Sequence, residues 1–252
     1  MNIAMMEQKR FWKKDHKDFV AESHLLLTHA ILDGFELRLF RDLKKLFLIE
    51  PETLQDFACG VFIDFPTEWL VLPYQTGYTR VVFFNESVLN DGRETHVMIE
   101  EPAPGSLPYV TFFGLDNLQN KETLFITESP FETMLLWQYL QHEDDVSGDV
   151  IGIIPNKKLS PYPTNSQLEL IDDFLEKSYS SIYLIINDAP SLVKRLIDFI
   201  PKNTNNKDVD LHTVNIPLVT EGRFMTYLDV MKNPHEIDFM EPLRNSETVK
   251  LT

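Results

Sequence analysis

The chain has 252 residues and a formal net charge of −16, from 23 Lys and Arg against 39 Asp and Glu. This length can bury a sizeable core in one large domain or two small ones, and the single cysteine, Cys59, excludes a disulfide framework and a cysteine zinc site. The acidic balance disfavours extensive binding to duplex DNA, which requires clustered Lys and Arg, and suits a basic protein partner or a bound metal ion better.

Residues 1–48 are predicted to form an N-terminal helical segment, because apolar side chains recur there at helical spacing. Asp33-Gly34 is expected to divide this segment into two helices. The basic stretch RLFRDLKKLF, residues 38–47, fits an amphipathic docking helix, although such a pattern is more often a solvated helix face.

Residues 49–120 are predicted to form a small mixed α+β region. A short helix is expected to start at Pro51, since proline is tolerated in the first turn of a helix. A polar region rich in Pro and Gly, residues 85–108, follows and contains one predicted strand, THVMIE. The other predicted strands of this region are Gly60–Phe65, Trp69–Pro73 and Arg80–Phe84.

Residues 121–252 alternate apolar strand patterns with helical ones. This order predicts an α/β domain with a mostly parallel four-stranded sheet flanked by helices. The predicted strands are LFIT, VIGII, IYLII and VDLHTVNI, and the predicted helices between them are Pro130–Gln141, Asn165–Lys177 and Pro190–Ile200.

Two carboxylates follow the first of these strands. Glu128 lies at its carboxyl end, and Glu132 lies in the first turn of the helix that Pro130 opens. Ligands bind at this edge of α/β sheets, where such carboxylates would hold a divalent cation or act as general acid and base. The alternative is a purely structural corner between a strand and a helix, with solvated acids.

A further acid, Asp188, follows the third strand of the same region. In a parallel sheet it would share an edge with Glu128, and separate acids at one sheet edge suit Mg²⁺, which takes one or two carboxylates and retains several waters or phosphates. The alternative is that Asn187-Asp188 caps the helix starting at Pro190, because Asp and Asn are favoured at that position.

The order strand, Glu, helix, strand, helix, strand, Asp, helix, strand resembles the Toprim domain of bacterial-type DNA primases, topoisomerases and some nucleases. That family's first motif, an apolar strand followed by Glu-Gly and an Asp three residues after the Gly, corresponds here to Glu128-Ser129-Pro130-Phe131-Glu132. Its second motif, Asp-x-Asp after a strand, corresponds to Asn187-Asp188-Ala189. The resemblance implies Glu128 as general acid/base and Glu128, Glu132 and Asp188 as ligands of a degenerate, weak Mg²⁺ site.

The resemblance to bacterial-type primases extends upstream and covers residues 49–216. IEPETLQDFACGVF and WLVLPYQTGYTRVVFF are similar to the segment that precedes the Toprim domain, and FFGLDNLQNKETLFITE is similar to the junction into it. Primases carry basic residues in the upstream segment that contact template and nucleotide. Here that segment offers Arg80 and Arg93 and little else.

Two functions follow as expectations. One is a primase-related protein of DNA replication or nucleic-acid processing, which would bind single-stranded or local rather than extensive duplex nucleic acid. The other is a non-catalytic Toprim-like protein that binds a protein partner in a replication, repair or mobile-element system. The absence of GxGxxG and GxxxxGK[ST] disfavours a nucleotide cofactor. No apolar run approaches the roughly 20 residues that span a bilayer, and the polar N-terminus is unlike a signal peptide, so we expect a cytoplasmic protein without a membrane partner.

Overall fold

The chain divides into two compact units and passes from the first to the second between Pro108 and Tyr109. In the part of the chain that the structure describes, each unit contains one β-sheet. None of the helices within the described ranges has the length and hydrophobicity of a membrane-spanning segment. The computed structural model describes residues 16–87, 94–119, 121–141, 147–153, 164–175, 179–186, 190–203, 209–214 and 247–249.

Helices occupy the start of the first unit, as the apolar spacing predicts. The predicted break at Asp33-Gly34 is present, and Gly34 adopts a positive φ of 67° that glycine tolerates without strain. The third helix begins at Pro51, as predicted. The three helices are α1 (His16–Leu32), α2 (Arg38–Phe47) and α3 (Pro51–Asp56).

The first unit contains a four-stranded antiparallel sheet with its strands in sequence order. Helix α1 packs on one face of it, where the Phe19 ring stacks on Tyr78 at 4.6 Å. Helix α2 packs on the other face, where Phe47 lies 5.7 Å from Phe83, because successive side chains of a strand point to opposite faces. The strands are β1 (Gly60–Asp64), β2 (Thr67–Tyr74), β3 (Gly77–Ser87) and β4 (Glu94–Pro102).

The second unit contains a six-stranded mixed sheet, which corrects the predicted four-stranded parallel sheet. Its order is β10-β9-β8-β6-β7-β5. The four central strands are parallel as predicted, but β5 pairs antiparallel with β7 at one edge and β10 pairs antiparallel with β9 at the other. The strands are β5 (Phe112–Phe113), β6 (Thr123–Thr127), β7 (Asp149–Ile153), β8 (Ser181–Ile185), β9 (Asp210–Thr213) and β10 (Glu247–Val249).

Helices pack on both faces of this sheet, which explains why most residues of β6, β7 and β8 are apolar. Helix α4 packs against β7 on the face that carries Gly152. Helices α5 and α6 contribute buried residues such as Ile171 and Leu196 to the core on the opposite face, with Ile126 and Leu184 of the strands. The helices are α4 (Pro130–Leu140), α5 (Asn165–Leu175) and α6 (Pro190–Asn203).

Candidate functional site

The chain reverses its winding direction at β6. From β6 it passes through α4 to β7 on one side, and from β7 it passes through α5, on the other face, to β8 on the far side of β6. In open α/β sheets, ligands bind outside the carboxyl ends of strands at such a switch point. Glu128 follows β6 directly, so its backbone lies at this position.

The corner after β6 is built around the start of α4. Ser129 is the N-cap, and its hydroxyl oxygen accepts a hydrogen bond from the Glu132 backbone N–H at 3.2 Å. Pro130 occupies the first turn, where its missing N–H costs nothing. The helix therefore starts where the sequence predicts it, and it fixes both glutamates on one short segment.

Glu132 has a structural role in this corner. Its carboxylate Oε2 accepts a hydrogen bond from the Glu128 backbone N–H at 3.1 Å. Together with the Ser129 contact, this arrangement is close to a capping box, in which the two side chains satisfy backbone donors at a helix start. The negative charge also lies at the positive end of the helix dipole. The structural alternative, a corner between a strand and a helix, therefore accounts for the position of Glu132. The sequence pattern that indicates this cap is Ser-x-x-Glu.

A cluster of buried hydroxyl groups joins the same corner to β7, where the Thr127 hydroxyl lies 3.3 Å from the Ile151 carbonyl oxygen. The hydroxyl oxygens of Thr127 and Thr133 lie 2.8 Å apart, and Thr133 also donates to the Ser129 carbonyl oxygen at 2.8 Å. Both threonine side chains are fully buried. A Cβ on Gly152 would lie 2.3 Å from the Thr133 hydroxyl oxygen, so only glycine allows this approach. These contacts hold the segment that carries Glu128.

The third predicted acid follows the strand next to β6. The two strands are parallel, and Thr127 pairs with Ile185 at their carboxyl ends. The prediction that these strands are parallel and end at one edge of the sheet is therefore confirmed. Asn187 and Asp188 lie outside the described residues, so the side chain of Asp188 stays a prediction.

Two of the three predicted metal ligands, Glu128 and Glu132, lie at this corner. Glu128 and Glu132 are both half-buried and supply two carboxylates, and Mg²⁺ commonly takes one or two from a protein. One oxygen of Glu132 already serves the helix cap, which competes with metal coordination. Within the described ranges, no three His, Cys, Asp or Glu side chains form a group that could hold a metal ion.

A further buried carboxylate, which no sequence motif indicated, lies at the amino ends of the parallel strands, opposite the Glu128 corner. Asp149, at the start of β7, is buried and accepts hydrogen bonds from the backbone N–H groups of Gln119 and Lys121 and from the Tyr179 hydroxyl, at 2.8–3.0 Å. Burial, and then the hydrogen bond to Asp149, raises the pKa of Tyr179 well above its usual range. Asp149 joins three segments of the second unit and serves its structure.

In the first unit, Arg80 is neutralised within the protein. Its guanidinium donates to Glu101 at 2.7 Å and lies 4.8 Å above the centre of the Trp69 ring. The Arg80 side chain is 9% exposed. An arginine held in this way has little surface to offer a nucleic-acid phosphate. Arg93 lies outside the described residues.

Comparison with known proteins identifies the fold. The sequence matches no protein-family model and no curated protein. The structure is similar to the primase fragment of the bacteriophage T7 primase-helicase protein, with a TM-score of 0.50 and 13% identity over 79% of this chain and 72% of that one. It also matches a DNA primase domain from Pseudomonas aeruginosa, with a TM-score of 0.42 and 13% identity over 72% of this chain and 52% of that one. The likeness to the T7 fragment shows a primase-like fold.

Proposed function

We propose that the chain is a primase-related, Toprim-like protein of DNA replication or nucleic-acid processing, with a degenerate metal site. The observation that carries this proposal is the position of Glu128. It follows the central parallel strand at the switch point of a sheet whose fold is similar to that of the T7 primase fragment.

In this proposal, Glu128 is the general acid/base, and Glu128, Glu132 and Asp188 hold the metal. Mg²⁺, when bound, would neutralise charge on substrate phosphates. The protein's own contribution is the rigid corner, because the buried contacts of Thr127 and Thr133 fix the backbone from which Glu128 projects. The engagement of Glu132 in the helix cap supports weak rather than tight metal binding.

The proposed partner is single-stranded nucleic acid, or a local contact with a duplex. Extensive duplex binding needs many phosphate contacts from Lys and Arg, and the chain has a net charge of −16. The pairing of Arg80 with Glu101 removes one candidate phosphate contact from the described part of the first unit.

The second candidate is a non-catalytic Toprim-like protein that binds a protein partner. Two observations favour it. The carboxylate of Glu132 is part of a helix cap, and the guanidinium of Arg80 is paired with Glu101 of the same chain. In this alternative, the chain has a primase-like fold, but the carboxylates after β6 neither bind a metal ion nor catalyse a reaction.

Metal titration separates the two candidates. Isothermal titration of Mg²⁺ and Mn²⁺ into the protein should show saturable millimolar binding, weakened about tenfold or more in Glu128→Gln. Loss of a metal ligand or its outer-shell support typically costs that much. Glu169→Gln, an exposed glutamate on α5, is the matched control and should bind like the wild type. Absence of binding by the wild type at millimolar metal would favour the second candidate.

A further inference from the structure

A pocket of about 150 Å³ lies in the first unit, where two strands separate. The ladder between β2 and β3 ends at Leu70 and Val81. Beyond these residues, β2 continues to pair with β1, and β3 continues to pair with β4, so a gap opens between the two strands. The start of α2 lies against the same gap. The apolar lining consists of Leu39, Pro66, Val82, Phe83 and Phe84.

The pocket has room for one large apolar side chain. An engineered apolar cavity of about 150 Å³ in another protein binds benzene. The ring of a phenylalanine is of that size, and the lining offers it the aromatic contacts that stabilise ring pairs. A single inserted ring is a common way for one protein to anchor on another.

Exposed apolar side chains surround this pocket. Phe84 lines it and is 38% exposed, and Phe65, the residue before the lining residue Pro66, is 92% exposed. Ile63 is 43% exposed and pairs across the sheet with Glu68, another lining residue. Exposed large apolar side chains that are grouped in this way mark interaction sites.

The helix beside the pocket carries positive charge in an otherwise acidic protein. Four basic residues and one acidic residue lie on α2, whereas the whole chain has a net charge of −16. Arg38 pairs with Asp42 at 3.3 Å, and Lys44 pairs with Glu50 at 2.9 Å. Arg41 and Lys45 are exposed on the same helix. A partner that covers this helix is therefore expected to be acidic.

The polar groups at the pocket favour an acidic peptide over nucleic acid. The Glu68 carboxylate accepts a hydrogen bond from the Leu39 backbone N–H at 2.8 Å, and so occupies a donor at the start of α2 that would otherwise suit a phosphate. Arg38, Asp42 and Glu68 all line the pocket, and Arg38 is paired with Asp42, so the lining carries a net negative charge that would repel a phosphate placed there. An uncharged ring in the pocket, with acidic side chains along α2, avoids this repulsion.

We propose that this pocket and the basic surface of α2 bind an acidic segment of a partner protein through one inserted aromatic side chain. The surface lies in the first unit and is independent of Glu128, so the failure of either proposal leaves the other standing.

The test uses a short blocked peptide with one central Phe flanked by Gly and then by Asp and Glu. Titrated into the ¹⁵N-labelled full-length chain, it should bind saturably and shift the backbone amides of Leu39 and Phe83. Replacing the central Phe by Ala should weaken binding about tenfold or more, as expected for an anchor residue. Raising the salt concentration should weaken the binding of the Phe-containing peptide, because salt screens the attraction between its Asp and Glu residues and the basic residues of α2.

Two variants locate the site on the protein. Phe84→Glu should weaken binding about tenfold, whereas Leu26→Glu, which also places a glutamate at an apolar residue of similar exposure but on α1 and outside the pocket lining, should change it by less than about twofold. Phe65→Ala removes an apolar side chain that is 92% exposed beside the pocket, without affecting the core, and should weaken binding several-fold. Circular dichroism checks that each variant is folded.

Three results would overturn the proposal. One is the absence of saturable peptide binding to the folded wild type. Another is binding that Phe84→Glu and Phe65→Ala leave unchanged. The third is an oligothymidylate that shifts Leu39 and Phe83 and binds there more tightly than the peptide, which would make the surface a nucleic-acid site.

Discussion

Adding one methyl group at Gly152 is expected to disrupt the corner that carries Glu128. In Gly152→Ala, the new Cβ would lie 2.3 Å from the Thr133 hydroxyl oxygen and 3.2 Å from the Ser129 carbonyl oxygen. The first distance is too short for any carbon–oxygen contact, so the threonine or the first turn of α4 has to move. Thr133 is fully buried and cannot swing into solvent.

The expected loss of stability follows from two effects. Overpacking a well-packed site costs about 1–3 kcal/mol. Displacement of Thr133 also breaks its buried hydrogen bond with Thr127, which contributes about 1 kcal/mol. The total, about 2–4 kcal/mol, corresponds to a fall in Tm of about 4–16 °C for a chain of this size.

Urea denaturation, read through hydrogen exchange of the β6 and β7 amides, measures this loss in the second unit alone. A double-mutant cycle identifies its cause, because Thr133→Ala removes the oxygen that the new methyl group meets. Gly152→Ala should therefore cost at least about 1 kcal/mol less in a Thr133→Ala background. Equal costs in the two backgrounds, or an unchanged stability of the single variant, would refute the reasoning.

Three further outcomes are expected. Asp149→Ala should lower the free energy of unfolding by about 1–3 kcal/mol in urea denaturation, since it leaves the buried Tyr179 hydroxyl without its acceptor, whereas the other two donors are backbone N–H groups of the exposed residues Gln119 and Lys121; an unchanged free energy of unfolding would contradict this. Burial raises the pKa of the Cys59 thiol far above its usual range, so the native protein should not react with a thiol reagent at mildly alkaline pH, whereas the urea-unfolded chain should react fully. Burial, and then the Glu52 carboxylate, raises the pKa of Asp56, so the folded state holds this proton more tightly and loses stability as the pH rises through the raised pKa. Asp56→Asn should therefore have a slightly higher Tm than the wild type at neutral pH and no gain below the ordinary pKa of an aspartate, and an equal gain at both pH values would contradict this cause.

Local sequence signals predicted the elements that depend on local physics. The break near Gly34 follows from a backbone conformation that glycine favours, and the start of α4 follows from the fixed φ of Pro130. The four central strands of the second sheet follow from their apolar runs. The alternation of strands and helices predicts parallel strands, whose carboxyl ends, including those of β6 and β8, meet at one edge of the sheet.

Features that depend on distant partners were not predictable in this way. Strand β5 has two residues and β10 has three, and each exists as a strand because a longer neighbour pairs with it. Asp149 looks like an ordinary polar residue before an apolar strand, and its role depends on Tyr179, 30 residues away. The cap formed by Glu132 is local, and the Ser129-x-x-Glu132 pattern would have indicated it.

The most direct test of the proposed function is an oligonucleotide-binding titration of the wild type and Glu128→Gln. Single- and double-stranded DNA and RNA are each titrated with and without Mg²⁺, at two salt concentrations. We predict salt-sensitive binding to single strands, strengthened by Mg²⁺ in the wild type and not in the variant. Absence of binding by the wild type under every condition would contradict a nucleic-acid function and leave the protein-binding alternative.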